Sequence, residues 1–226
     1  MSKKAILATA VAIMGIGTMG APTAYADISA SFAASNMYFW RGLNISDPSP
    51  AVSGSLDYSH ESGFYAGIWG SSEGWFDNSS EFDLYLGYGG EIGGFSYDAS
   101  YVAYFYPSAE DEALPLPPGS DVSISDTDLA EVVLGVGYGG FSAKALIGAN
   151  DALEDSLYYT LGYEFGKFGV TYGNATNDGD GLWSHITLDF NATDSLNFKL
   201  SKAMSDDYEV NEDPLFVVSY SLSFDL

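Results

Sequence analysis

From residue 28 to its last residue the sequence keeps returning to one pattern, apolar and polar side chains in alternation. The final stretch, FVVSYSLSFDL at 216–226, states it most plainly. Phe216, Val218, Tyr220, Leu222, Phe224 and Leu226 share one parity, and Ser219, Ser221, Ser223 and Asp225 hold the other. A period of two is the mark of a β-strand whose two faces meet different surroundings. The pattern recurs at 28–41, 51–60, 64–71, 80–88, 95–106, 127–138, 141–149, 156–165, 168–173, 182–190, 195–203 and 215–226. It predicts about twelve strands, each of roughly the length a tilted strand needs to cross a bilayer.

The connections alternate in length. Short ones fall at 61–63, 89–94, 139–140, 166–167 and 191–194; longer ones at 42–50, 72–79, 107–126, 150–155, 174–181 and 204–214. Short turns on one side and long loops on the other are what an up-and-down meander gives, and what outer-membrane barrels display. Three stretches, LGYGGEIGGFSYDASY, LGVGYGGFSAKALIG and LGYEFGKFGVTYG, form a weak internal repeat of a glycine-containing hairpin. A strand at a chain end must be tied down, because ends otherwise fray. The last strand is therefore expected to pair with its predecessor and with the first, closing the sheet so that no edge remains. Its alternation is similar to the C-terminal signal read by the bacterial barrel-assembly machinery, although Leu226 ends the chain and Phe224 precedes it by two.

Alternation alone leaves open which face points inward: a soluble barrel packs its apolar face inside, a membrane barrel outside. Size decides. A closed sheet of about twelve strands encloses more space than side chains readily fill. The polar parity is small or charged (Ser53, Ser55, Asp57 and Ser59; Glu81, Asp83 and Gly87), which suits water. Phe82, Leu84, Leu86 and Tyr88 suit lipid, and Tyr163 and Phe165 flank Leu161 as interfacial aromatics do. The fold expected is all-β, a closed antiparallel up-and-down transmembrane β-barrel.

The first residues fit an exported chain. Lys3 and Lys4 precede an apolar run from Ala5 to Met19, and Ala24-Tyr25-Ala26 forms a small-residue cleavage site before Asp27. Residues 1–26 are read as a secretory signal peptide and 27–226 as one barrel domain in the bacterial outer membrane. The expected partners are outer-membrane lipids and lipopolysaccharide, the assembly machinery during biogenesis, and small solutes. Loss of the leader leaves Arg41, Lys144, Lys167, Lys199 and Lys202 against 31 acids. Such acidity argues against nucleic acid, which requires basic patches. No cysteine is present, so neither disulfides nor thiolate metal sites are available.

Residues 29–72, SASFAASNMYFWRGLNISDPSPAVSGSLDYSHESGFYAGIWGSS, resemble the start of the TorF-type porins, a family of proteobacterial outer-membrane proteins. The aromatic run into Arg41-Gly42, the DYSHESGFYAG hairpin and the WGS after it carry the resemblance. It implies a channel-like barrel and supplies neither a catalytic residue nor a substrate.

Sites of chemistry are sparse. GVGYGG at 135–140 matches a dinucleotide fingerprint, but its glycines read as a hairpin turn rather than a strand-to-helix crossing, and no cofactor is expected. NATNDGD at 174–180 echoes a calcium loop, yet the position of its bidentate glutamate holds His185. Acidic loops (Glu110, Asp111 and Glu112; Asp206, Asp207, Glu209, Glu212 and Asp213) are candidates for sharing a divalent cation with lipopolysaccharide, against the plainer reading of solvated loops. A barrel lipase needs a serine–histidine pair, and neither His60 nor His185 sits in a local motif that supplies one. The chain is read as a non-enzyme.

That leaves the interior. Asp57, Glu81, Asp83, Asp98, Glu131, Glu164 and Asp189 share the inward parity, against Lys144, Lys199 and Arg41. Acidic walls select cations. Arg41, where strand one meets its external loop, is expected to brace acids near the mouth. Tyr85, Tyr104, Tyr106 and Tyr158 also point inward by parity. The function expected is a porin-like passive diffusion channel preferring cations. The alternative is a non-conducting structural, adhesive or receptor barrel acting through its acidic external loops.

Overall fold

The computed structural model describes residues 27–46, 49–73, 80–106, 129–206 and 208–226. The leader at 1–26 and the loop expected at 107–126 lie outside them. The strands are β1 (Asp27–Ser35), β2 (Phe39–Trp40), β3 (Leu43–Asn44), β4 (Ala51–Ser59), β5 (Phe64–Ser71), β6 (Glu81–Ile92) and β7 (Phe95–Phe105). After them come β8 (Leu129–Tyr138), β9 (Phe141–Gly148), β10 (Ser156–Phe165), β11 (Phe168–Asn177), β12 (Asp180–Asn191), β13 (Leu196–Met204) and β14 (Leu215–Asp225). Strand β1 pairs with β14 on one side and β4 on the other, and the remaining strands follow in chain order around a closed antiparallel barrel. Strands β2 and β3 form a separate hairpin. The barrel therefore has twelve strands. Its seam runs from Ser29 opposite Asp225 to Ser35 opposite Ser219.

The barrel is inside-out relative to a soluble one. Along β6, Glu81, Asp83 and Tyr85 are 2, 1 and 5% exposed, while Phe82, Leu84, Leu86 and Tyr88 are 44–53% exposed. An apolar outer face of this kind is stable only against another apolar phase, because in water each such side chain would forgo roughly 1.5–3 kcal/mol of burial. From the short turns of β9–β12 a belt of aromatic rings crosses neighbouring strands as far as the start of β14. Phe141 meets Tyr163 at 4.4 Å, and Phe165, Phe168, Phe190, Phe198 and Phe216 continue it with centroids 5.1–6.4 Å apart. This is the interfacial girdle of a membrane barrel.

Turn chemistry sets the register. Gly93-Gly94 and Gly139-Gly140 have φ of +62, +82, +58 and +87°. Two consecutive positive φ values make the tight turn whose twist matches the flanking strands.

Three places differ from the sequence expectation. Strand β6 runs on to Ile92, so the connection expected at 89–94 contracts to Gly93-Gly94. Strand β1 ends at Ser35 rather than 41, because Asn36 turns the chain: its side chain donates to Phe216 O and accepts from Val218 N. Strands β11 and β12 extend through most of the loop expected at 174–181, meeting at Asp178-Gly179 (φ +49 and +82°) with a register shift at Ala175/Thr176.

The interior is lopsided. One wall, from β6 round to β12, carries Tyr85, Val102, Tyr104, Val133, Leu146, Tyr158, Ala175 and Trp183, with Trp40 and Leu43 of the β2–β3 hairpin packed against them. The opposite wall, β14–β1–β4, presents Ser219, Ser31, Ser35, Ser53 and Ser55, all half-buried.

Candidate functional site

The site is built where the first long connection folds back into the barrel. Residues 36–46 do not project outward. Tyr38 N donates to Ser46 Oγ at 2.7 Å, and Ile45 N donates to Tyr38 O at 3.1 Å, which closes a compact loop. Its β2–β3 hairpin turns at Arg41-Gly42, with φ of +47 and +88°. A non-glycine residue in that region costs about 1–3 kcal/mol and persists only where its surroundings demand it. Here they do. Trp183 Nε1 donates to Arg41 O at 2.9 Å. A Cβ on Gly42 would lie 2.4 Å from His185 Cγ, so the turn is pressed against β12 as closely as backbone allows.

This posture delivers Arg41 to the acidic wall. Arg41 Nη2 donates to Glu131 Oε2 at 2.5 Å, and Tyr104 OH donates to the same oxygen at 2.7 Å. The guanidinium carbon sits 4.4 Å from the Trp40 ring centre and 4.7 Å from that of Tyr158. Burial opposes the charge, but the Glu131 carboxylate outweighs it and holds Arg41 above the ordinary arginine pKa. The residue is a permanent cation. Tyr38 OH donates to Glu81 Oε2 at 2.8 Å, a second anchor for the loop. Asp83 lies between these anchors and is 1% exposed, and among the described residues its only side-chain partner is the neighbouring Glu81 carboxyl.

The remaining inward acids sit toward the short-turn end. Asp57 accepts from Ser55 Oγ at 2.6 Å and from the Tyr85 hydroxyl. Asp98 accepts from Tyr65 OH at 2.6 Å and Ser100 Oγ at 3.3 Å. Across β8, Gly135 pairs with both Asp98 and Lys144 and leaves the two charges facing over an empty position. Glu164, Gly169, Asp189 and Lys199 form one row across β10–β13, in which Lys199 is ion-paired to Asp189. The ten charged residues proposed from sequence thus divide into an outer group (Arg41, Glu81, Asp83, Glu131) and an inner tier (Asp57, Asp98, Lys144, Glu164, Asp189, Lys199).

Sequence reasoning missed the tyrosines' role. Tyr38, Tyr65, Tyr85 and Tyr104 each donate to a carboxylate. It also missed the inward fold of the hairpin, for which the non-repeating SNMYFWRG was the available signal.

The histidines are placed as follows. His185 Nε2 is 2.7 Å from Tyr158 OH and its Nδ1 is 3.0 Å from Thr187 Oγ1, inside the barrel. His60 Nδ1 is 2.9 Å from Ser62 Oγ at a short turn. Among the described residues no three His, Asp or Glu side chains are grouped to hold a metal. Asp207 and Glu110 to Glu112 lie outside the described residues.

The family described as "bacterial protein of unknown function (Gcw_chp)" matches residues 20–187. The chain belongs to this family. No curated protein matches the sequence. Solved structures similar to it include outer membrane phospholipase A from Escherichia coli, at 10% identity over 87% of this chain and 91% of that one, TM-score 0.42. The COG4313 outer membrane channel from Pseudomonas putida F1 is 12% identical over 91% of this chain and 97% of that one, TM-score 0.45. The outer membrane protein opdK from Pseudomonas aeruginosa is 15% identical over 88% of this chain and 61% of that one, TM-score 0.35.

Proposed function

We propose that the protein is an outer-membrane channel for small solutes that prefers cations, performs no chemistry, and is narrowed by its inward β2–β3 hairpin. The observation that carries this reading is the lopsided interior. The hairpin packs on the acidic, aromatic wall, whereas Ser31, Ser53, Ser55 and Ser219 opposite it remain half-buried rather than sealed. Short hydroxyls leave room and hydrogen-bond to water, so the serine wall is the natural conduit. Ser31 Oγ and Ser55 Oγ already bond to each other at 2.7 Å.

Selectivity follows from what lines that conduit. Glu81, Asp83 and Glu131 are sealed behind the hairpin and contribute field rather than contact. Asp57, Asp98, Glu164 and Asp189 are half-buried against Lys144 and Lys199, an excess of acids at the inner end. The screening length in physiological salt, about 8 Å, is comparable to a narrow lumen, so these charges are felt across it.

The test is bulk flux. Vesicles carrying the folded protein should admit small neutral and cationic solutes faster than anions of equal size. A variant with Ser31, Ser53 and Ser55 changed to Leu should fold and pass little. Unchanged flux in that variant would place the conduit elsewhere.

A further inference from the structure

We propose that the recess occupied by Arg41 is a binding site for the guanidinium or ammonium group of an organic cation, and that Arg41 is its tethered occupant. The inference rests on the channel reading and names its preferred solute.

The recess offers more carboxyl oxygens than its occupant uses. Glu131 Oε2 is taken by Arg41 and Tyr104, but among the described residues Glu131 Oε1 has no hydrogen-bond partner and Asp83 has none beyond the neighbouring Glu81 carboxyl; Glu131 and Asp83 are each 1% exposed. They stand close together. Tyr85 and Glu131 both pair with Val102 on β7, and Asp83 is one inward step from Tyr85 along β6. Glu81, one step further, is bonded to the Tyr38 and Tyr106 hydroxyls and to Asp83. Acceptors without donors inside a protein cost free energy and call for a cationic donor.

The walls select the kind of cation. Arg41 lies over the face of Tyr158 at 4.7 Å, and Tyr104 borders the same carboxylate. Both tyrosines belong to barrel strands, so they stay when the hairpin leaves; Trp40, at 4.4 Å, leaves with it. Flat π faces beside carboxylates favour a weakly hydrated, planar or alkylated cation over a hard metal ion, which takes oxygen ligands alone. The strained φ of +47° at Arg41 completes the picture. An asparagine or glycine would turn this hairpin at lower cost, so the position is specified by what the side chain binds.

A solute cation at the mouth then competes with Arg41, and its capture frees the hairpin to swing from the wall. The closed state is held by a copy of the solute's own recognition group.

The experiment is a fluorescence titration of the folded full-length protein with methylguanidinium, read from the tryptophans about the site, with urea as the neutral isostere. Arg41→Ala should bind methylguanidinium at least about tenfold more tightly than wild type, because the tethered competitor is gone. Adding Asp83→Asn or Glu131→Gln should reverse that gain by about tenfold, and urea should not bind. Equal binding of urea, or no effect of either second change, overturns the proposal.

Wild-type protein in bilayers gives a second readout should Arg41→Ala fail to fold. Guanidinium should be more permeant than potassium, and Glu131→Gln should reverse the order. Potassium currents without that preference sink the site and leave the channel. Binding without currents sinks the channel and leaves the site.

Discussion

Gly42→Ala isolates the hairpin's packing from its charges. The residue lies in the β2–β3 turn outside the barrel ladder, yet its φ of +88° is one that a side chain rarely adopts, and the new Cβ would lie 2.4 Å from His185 Cγ and 2.5 Å from His185 Cβ. A left-handed conformation costs alanine about 1–2 kcal/mol, and overpacking a closed site adds about 1–3 kcal/mol. Both penalties fall on the docked hairpin alone, since an undocked one relaxes its backbone and meets no histidine. About 3 kcal/mol shifts the docked-to-undocked ratio by roughly two orders of magnitude. Single-channel recording should find a larger or longer-lived open level, and Trp40 should move to a more polar setting with a red-shifted emission. The twelve-strand ladder is untouched, so gel mobility of the folded form should not change. A Gly42→Ala protein with wild-type conductance and wild-type emission would refute the docked hairpin as the constriction.

Arg41→Ala leaves the carboxylate of Glu131 buried with only the Tyr104 hydroxyl, a loss of about 3–5 kcal/mol of docking that should raise channel opening, with Arg41→Lys recovering only part of it for want of a planar group. Leu86→Arg places a charge on the lipid-facing side, where Leu86 is 53% exposed, and should lower folding stability in vesicles by up to about 2–4 kcal/mol, while an interior Ser55→Arg should alter conductance with little effect on folding. Glu164→Gln with Asp189→Asn removes the acids of the inner row beside Lys199 and should shift the reversal potential toward anions, more strongly at low ionic strength; an unchanged potential would remove that row from the conduction path.

The barrel was legible because its signal is local. EFDLYLGY at 81–88 declares two faces within eight residues, and its alternating burial repeats the pattern letter for letter. The turn at Gly139-Gly140 was equally plain, whereas the connection expected at 89–94 contracts to Gly93-Gly94 because β6 runs on to Ile92. Asp178-Gly179 was misread although Asp-Gly is a tight-hairpin signal, because the polar run around it looked like a loop. The β2–β3 hairpin was hidden for another reason. MYFW reads as more apolar strand after β1, and only the Ser35-Asn36 pair before it marks the break. Inward parity of nine of the ten charged residues followed from period two, whereas Arg41 reaches the interior through the β2–β3 hairpin. Their partners did not, since the meeting of Tyr38 with Glu81 or Arg41 with Glu131 depends on a loop folding back across the lumen. Periodicity assigns a face, and only the closed sheet assigns a neighbour.

The most direct test of the account is the current through the protein in a planar bilayer under a KCl gradient. The account predicts discrete ohmic steps whose reversal potential has the sign of potassium selectivity, set by Asp57, Asp98, Glu164 and Asp189 along the conduit. A folded barrel that passes no current, in wild type and in Gly42→Ala alike, would contradict it and move the function to the external loops.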